Sequence, residues 1–264
     1  MSKNPIDKLS GFCVITGASS GIGFELAILA ARDDCDLLLV ADQGLDEGAS
    51  ALRDISSGTG NIETLESDLA TQTGIDEVID KIAGRQVDVL MANAGQGEGD
   101  AFFNQDWMAI KRTIDTNITG TVSLIHKIGG KMRAANSGRI LVTGSIVDDI
   151  PGPFNLVYNS TKAFVDDFCV GLSNELNDSN VVVSCLLPGL TDTQFFERAD
   201  MQETYVGRSD AKADPAKVAK DGYDALLKGE TQEVSGLLNK VQHAFAGVLP
   251  DELLAQLHRM AAKP

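Results

Sequence analysis

What this chain lacks narrows the field first. It has no basic excess: 22 Lys and Arg stand against 38 Asp and Glu, a formal net charge of −16 over 264 residues. A surface of that sign repels phosphate backbones and anionic lipid, so neither nucleic acid nor membrane is expected as a partner. No apolar run approaches the ~18 residues of a membrane-spanning helix. The start, MSKNPIDKLSGF, has no apolar secretion core, so a cytoplasmic protein is expected. The four cysteines, Cys13, Cys35, Cys169 and Cys185, form no C-x-x-C pair and sit in apolar segments. Buried free thiols are expected, rather than a disulfide or metal site. His126, His243 and His258 have no ligand-like spacing, so no metal is expected. With no internal repeat, low-complexity linker or composition break, residues 1–264 read as one domain.

What is present is a regular alternation of strand and helix patterns. Phe12–Ile15 is a short apolar strand that runs into the glycine-rich turn Gly17-Ala18-Ser19-Ser20-Gly21-Ile22-Gly23, and a helix continues from Phe24 to Arg32. Strands follow at Asp36–Ala41, Asn61–Glu66, Val87–Met91, Arg139–Thr143 and Val181–Leu187, with a short one near Gln232–Ser235. Helical patterns cover Gly44–Ser57, Thr71–Ala83, Trp107–Arg133 with a kink near Thr113, Tyr158–Asn177, Asp214–Leu227 and Leu249–Ala262. Six to seven apolar strands separated by helices predict an α/β, Rossmann-like doubly wound parallel sheet with helices on both faces. Phe102, Phe103 and Trp107 are expected to pack within the protein.

A strand, a tight glycine turn and a helix make a phosphate-binding unit, because glycine lets backbone N–H groups and the positive end of the helix approach a pyrophosphate. The spacing here is Gly-x-x-x-Gly-x-Gly. In such sheets ligands bind beyond the carboxyl ends of the strands, and Asp42, Asp68, Asn93, Ser145 and Pro188 all stand just past one. Tyr158 and Lys162, at i and i+4, share one helix face, and Ser145 lies thirteen residues before the tyrosine. A phenol titrates near ~10 and is a poor base at neutral pH, but a cation held beside it favours the phenolate. Asp148 and Asp149 follow Ser145 closely and are expected to place carboxylates at the mouth of the pocket.

Taken together, Thr16–Gly23, Asp68, Asn93-Ala94-Gly95, Asn117, Ser145, Tyr158-x-x-x-Lys162 and Pro188-Gly189 with Thr193 resemble the short-chain dehydrogenase/reductase family, in its single-domain subdivision. The resemblance runs in order from residue 11 to about 235. Ala92, where the family usually has an asparagine, departs from it, and the tail beyond Gly236 carries little family signature. It implies hydride transfer between a nicotinamide dinucleotide and a secondary alcohol or ketone. By that resemblance Tyr158 is the acid/base, Lys162 holds the nicotinamide ribose and lowers the tyrosine pKa, Ser145 binds the substrate oxygen and Asn117 joins a proton relay.

The same resemblance implies a cofactor site made of Gly17, Ser19, Ser20, Gly21, Ile22, Gly23, Asp42, Asp68, Leu69, Asn93, Ala94, Gly95, Tyr158, Lys162, Pro188, Gly189, Thr191 and Thr193. NAD is expected ahead of NADP: Asp42 can accept bonds from the adenosine ribose hydroxyls, while Gln43 and Ser20 stand where phosphate-preferring members usually carry a cation. A small-molecule substrate and a homodimer or homotetramer are expected. Residues 96–103, 146–154 and the loop 190–210 are expected to shape the substrate pocket, with 236–264 a variable helical tail. The rival reading is a catalytically silent dinucleotide sensor on the same fold, against which intact Ser145, Tyr158 and Lys162 weigh.

Overall fold

The apolar runs fold as strands of one parallel sheet. The computed structural model describes residues 3–55, 60–193, 204 and 212–263. Within them β1 (Phe12–Thr16), β2 (Asp36–Ala41), β3 (Ile62–Glu66), β4 (Val89–Ala92), β5 (Gly138–Thr143), β6 (Val181–Leu187) and β7 (Gln232–Val234) pair in the order β3-β2-β1-β4-β5-β6-β7, every neighbour parallel. β1 and β6 are buried at every position, which is why they read as unbroken apolar runs rather than alternating ones. Strand order reverses between β1 and β4, and the crevice of a doubly wound sheet opens at that point.

The helices are α1 (Gly21–Arg32), α2 (Leu45–Ile55), α3 (Gln72–Ile82), α4 (Trp107–Ile114), α5 (Thr121–Leu124), α6 (Gly130–Ala135), α7 (Leu156–Glu175), α8 (Pro215–Lys228), α9 (Leu237–Ala246) and α10 (Asp251–Ala262). On one face of the sheet Leu26, Leu52 and Leu226 from α1, α2 and α8 pack with Ile15, Leu39 and Met91. On the other, Val78, Leu124, Met132 and Val165 pack with Val14, Leu38 and Leu90. Neighbouring residues of one strand thus feed opposite cores, as a two-fold side-chain period requires.

Local chemistry sets the boundaries. Asp106 opens α4 by accepting bonds from the N–H groups of Met108 and Ala109, and Asp214 opens α8 in the same way through Ala216, with Pro215 in the first turn. Gly229, left-handed at φ 71°, closes α8. The bend expected near Thr113 is a π-helical turn over Asp115–Gly120, and a second follows at Ile125–Gly129. The helical tail expected over 236–264 holds one helix whose limits were not legible: α9 starts at Leu237, and its cap, Gly236, has no side chain to signal the start.

The β1–α1 turn is built on glycine geometry. Gly17 and Gly21 have φ of 63° and 57°. Gly23 packs on the turn so closely that a Cβ would lie 2.1 Å from the Gly17 carbonyl oxygen. Gly23→Ala should therefore cost about 1–3 kcal/mol of stability as an overpacked contact, read as a lower urea midpoint, and should weaken dinucleotide binding by displacing the turn.

Candidate active site

A cavity of about 1200 Å³ lies along the carboxyl edge of the sheet. The glycine turn forms one end, with Gly17, Ser20, Gly21 and Ile22, and Asp42 stands beside it. Asn93, Ala94, Gly95, Ser145, Tyr158 and Lys162 line the middle. Pro188, Gly189, Thr191 and Thr193 follow from the end of β6. Thr193 abuts the turn: a Cβ on Gly21 would lie 2.8 Å from its Cγ2.

Asn93 ties three strand ends together. Its backbone N–H and that of Ala94 donate to Thr16 Oγ1 at 3.1 Å, its Nδ2 donates to the Gly17 carbonyl at 3.3 Å, and its Oδ1 accepts from Thr143 Oγ1 at 2.9 Å. Thr143 in turn gives its carbonyl to Lys162 Nζ, at 2.8 Å. Asn117 is buried in the first π turn, accepting from Gln96 N–H at 2.8 Å and donating to Gln96 O at 2.8 Å and Thr161 Oγ1 at 2.9 Å. A Cβ on Gly95 would lie 3.4 Å from Lys162 Nζ and 3.5 Å from Asn117 Oδ1, so these groups converge past the end of β4.

Ser145 hydrogen-bonds Tyr158, whose ring is partly buried. Desolvation pushes the phenol up to about 12, and the serine bond opposes that rise. Lys162 Nζ lies 5.8 Å from the tyrosine ring centre, and burial pushes its ammonium down to about 8. The depression of the Tyr158 pKa expected from its lysine is therefore not the balance in this arrangement. Loss of water outweighs the Ser145 bond, and the Lys162 ammonium donates to the Thr143 carbonyl.

Five residues expected to serve the site do not line the cavity. Leu69 is buried in the core with Val14 and Leu90, Gly23 is packed against the Gly17 carbonyl, and Ser19 is half-buried in the turn without lining the cavity. Asn117 lies beside Gly95, and Asp68 is paired with Arg112. Arg112, in the last turn of α4, does line the cavity. Its Nη1 is 2.6 Å from Asp68 Oδ2 and its Nη2 3.6 Å from Asp42 Oδ2. A cation thus stands beside Asp42, where the residues next to it in sequence supply none; seventy residues of separation hid it.

Asp148 and Asp149 do not line the cavity either. Asp148 is buried and turned to His243 of α9, 3.2 Å away, and burial raises its carboxyl to about 6 against the pull of that imidazole. The far wall comes from the tail instead, with Leu237, Leu238, Phe245, Leu249, Leu257 and His258. α9 approaches because Gly189 has no side chain: a Cβ there would lie 2.3 Å from Asn239 Nδ2. Phe103 and Trp107, expected to pack, are 96% and 63% exposed. The short 3₁₀ turn Phe102–Asn104 and the first turn of α4 carry them outward, where Phe103 meets the Phe102 ring edge-on with centroids 5.3 Å apart. All four cysteines are buried free thiols. The expected pocket loop 190–210 falls largely on residues 194–203 and 205–211, outside the described residues. No described helix is long and apolar enough to cross a membrane.

The cradle fits a dinucleotide. Two glycines at positive φ, a third too tightly packed for a Cβ, and the start of α1 leave backbone where a pyrophosphate would lie, with polar side chains beyond. Comparisons with known proteins agree. Human 17-beta-hydroxysteroid dehydrogenase type 1 is 32% identical over 190 residues, 70% of this chain and 58% of that protein, so the match spans less than two thirds of the relative. Among solved structures, a short-chain dehydrogenase from Sphingobium yanoikuyae in complex with NADPH superposes with a TM-score of 0.79 at 28% identity, covering 90% of this chain and 94% of that one. The bulky-bulky ketone specific alcohol dehydrogenase from Comamonas testosteroni gives 0.75 at 26%, covering 90% and 92%. With the short chain dehydrogenase pattern matched over residues 12–204, on a seven-stranded parallel sheet with its glycine turn at the switch point, this chain belongs to the short-chain dehydrogenase/reductase family of oxidoreductases.

Proposed function

We propose that the protein interconverts a bulky, largely apolar secondary alcohol and its ketone, with NAD as the preferred cofactor. The observation that carries this reading is the convergence of Ser145, Tyr158 and Lys162 on one cavity beside the glycine cradle. A nicotinamide bound there supplies or accepts the hydride. Tyr158 gives the proton to, or takes it from, the substrate oxygen, and the Ser145 hydroxyl donates to that oxygen as negative charge develops on it. Lys162 holds the ribose hydroxyls. A charged ammonium beside the phenol favours phenolate, against the desolvation that raises its pKa. Asn117, with its side-chain oxygen close to Gly95, would position a water through which the proton relay runs.

The substrate class follows from the wall. Leu237, Phe245, Leu249 and Leu257 line the cavity together with Ile146 and Ile150, an apolar lining that rewards apolar bulk. The relatives carry the same theme in what they act on, a hydroxysteroid in one and bulky ketones in the other. Self-association is part of the reading: Phe164 and Val170 on α7, each 41% exposed, are offered to a second copy.

Tyr158→Phe keeps the ring and removes the proton carrier. Turnover should fall ~10²–10⁴-fold with cofactor affinity nearly unchanged, and near-normal turnover on a true substrate would overturn the assignment. In a screen read by nicotinamide absorbance, bulky apolar ketones should outcompete short-chain and carboxylate-bearing ones; the reverse order would sink the substrate class.

Cofactor choice rests on Asp42. A carboxylate that accepts from ribose hydroxyls contributes about 1.5–3 kcal/mol, which is roughly ten- to hundredfold in preference. Asp42→Ala should lose kcat/KM with NAD and gain relative use of NADP, measured on one substrate. A wild type that prefers NADP, or a ratio unmoved by the substitution, would show that Asp42 does not read the ribose.

A further inference from the structure

The one arginine that lines the cavity among the described residues sits where the dinucleotide's adenosine end is placed by the reading above, on which this inference rests. We propose that Arg112 is a ligand for the 2′-phosphate of NADP, and that it gives this site a usable second cofactor in spite of Asp42.

The geometry is that of a group anchored on one side and available on the other. Asp68, fixed by the Ala70 N–H that its Oδ1 accepts at 3.0 Å, holds Arg112 Nη1 at 2.6 Å. Nη2 stands 3.6 Å from Asp42 Oδ2, beyond hydrogen-bond range, and meets no closer acceptor among the described residues. A guanidinium is a planar fork with five donors, so a bond to Asp68 through one nitrogen leaves the other edge for a second anion. The neighbouring cation is already committed: Lys111 pairs with Asp115 one turn along. An oxyanion on the ribose beside Asp42 lies within reach of Nη2, which exchanges a long contact with a carboxylate for a charge-assisted bond to a phosphate. The arginine also offsets the repulsion between that phosphate and Asp42. The balance of charge still favours NAD, because Asp42 and Asp68 outnumber Arg112 two to one.

A bond of this kind predicts a selective loss. In fluorescence titrations with NADH and NADPH, Arg112→Gln should weaken NADPH about tenfold or more while changing NADH by no more than about threefold, the size of one charged hydrogen bond set against its absence. Displacement by adenosine 2′,5′-bisphosphate should weaken in parallel, and displacement by adenosine 5′-monophosphate should not. Arg112→Lys, which keeps the charge but loses the fork, should recover part of the NADPH affinity. Equal losses for both dinucleotides would overturn the proposal and make Arg112 a clamp on Asp42 and Asp68. Unchanged or stronger NADPH binding would overturn it as well. These outcomes leave the dinucleotide site standing, whereas a wild-type protein that binds neither nucleotide would overturn the site itself.

Discussion

Everything chemical in this protein hangs on how three strand ends are held at the switch point. A parallel sheet brings its carboxyl ends to one edge but does not fix how far apart they sit. Here Thr16 Oγ1 accepts two backbone N–H bonds from Asn93 and Ala94, while the Asn93 side chain reaches the Gly17 carbonyl on one side and Thr143 on the other. One amide therefore sets the distance between the glycine cradle and the strand whose last carbonyl holds Lys162. Hydrogen bonds buried at such a joint are costly to leave unmade, so the crevice has one preferred width.

That joint shows which parts of the molecule a sequence discloses. β6 matches its expected limits, Val181–Leu187, because a strand buried on both faces is a continuous apolar run with polar ends. α8 announces itself through Asp214 and Pro215. Ser145, Tyr158 and Lys162 were legible because i, i+4 spacing and strand-end placement are local facts. Arg112 was not, because its meaning depends on α4 passing the ends of β2 and β3, a relation no local pattern encodes. Asp148 misled for the converse reason. Its position beside Ser145 in the chain says nothing of the half-turn that directs it at His243.

The buried polar groups divide into two kinds. Arg139 is buried in β5, and its guanidinium is spent on backbone carbonyls of Leu226, Leu227 and Asn4. That closes a seam between the start of the chain and the end of α8. Lys162 and Tyr158, by contrast, are held where desolvation works against their charged forms, up for the phenol and down for the ammonium. Groups kept in that condition respond strongly to a new neighbour, whereas an arginine saturated by carbonyls does not.

The far wall has a consequence of its own. The family pattern ends at residue 204, whereas the leucines and phenylalanine that shape the substrate end come from α9 and α10, beyond residue 236. The apolar lining of the cavity is therefore drawn from two stretches of the chain, Ile146 and Ile150 inside the family pattern and the residues of α9 and α10 outside it. The tail is tied to the preceding chain by the close approach at Gly189, by His243 on Asp148 and Asp149, by Lys240 on Glu233, by Arg259 over the Phe154 ring, and by His258 on Asn159 and the Pro153 carbonyl. Changes confined to α9 and α10 can therefore recast one wall of the cavity while the strand ends and the helix that carry Ser145, Tyr158 and Lys162 keep their places.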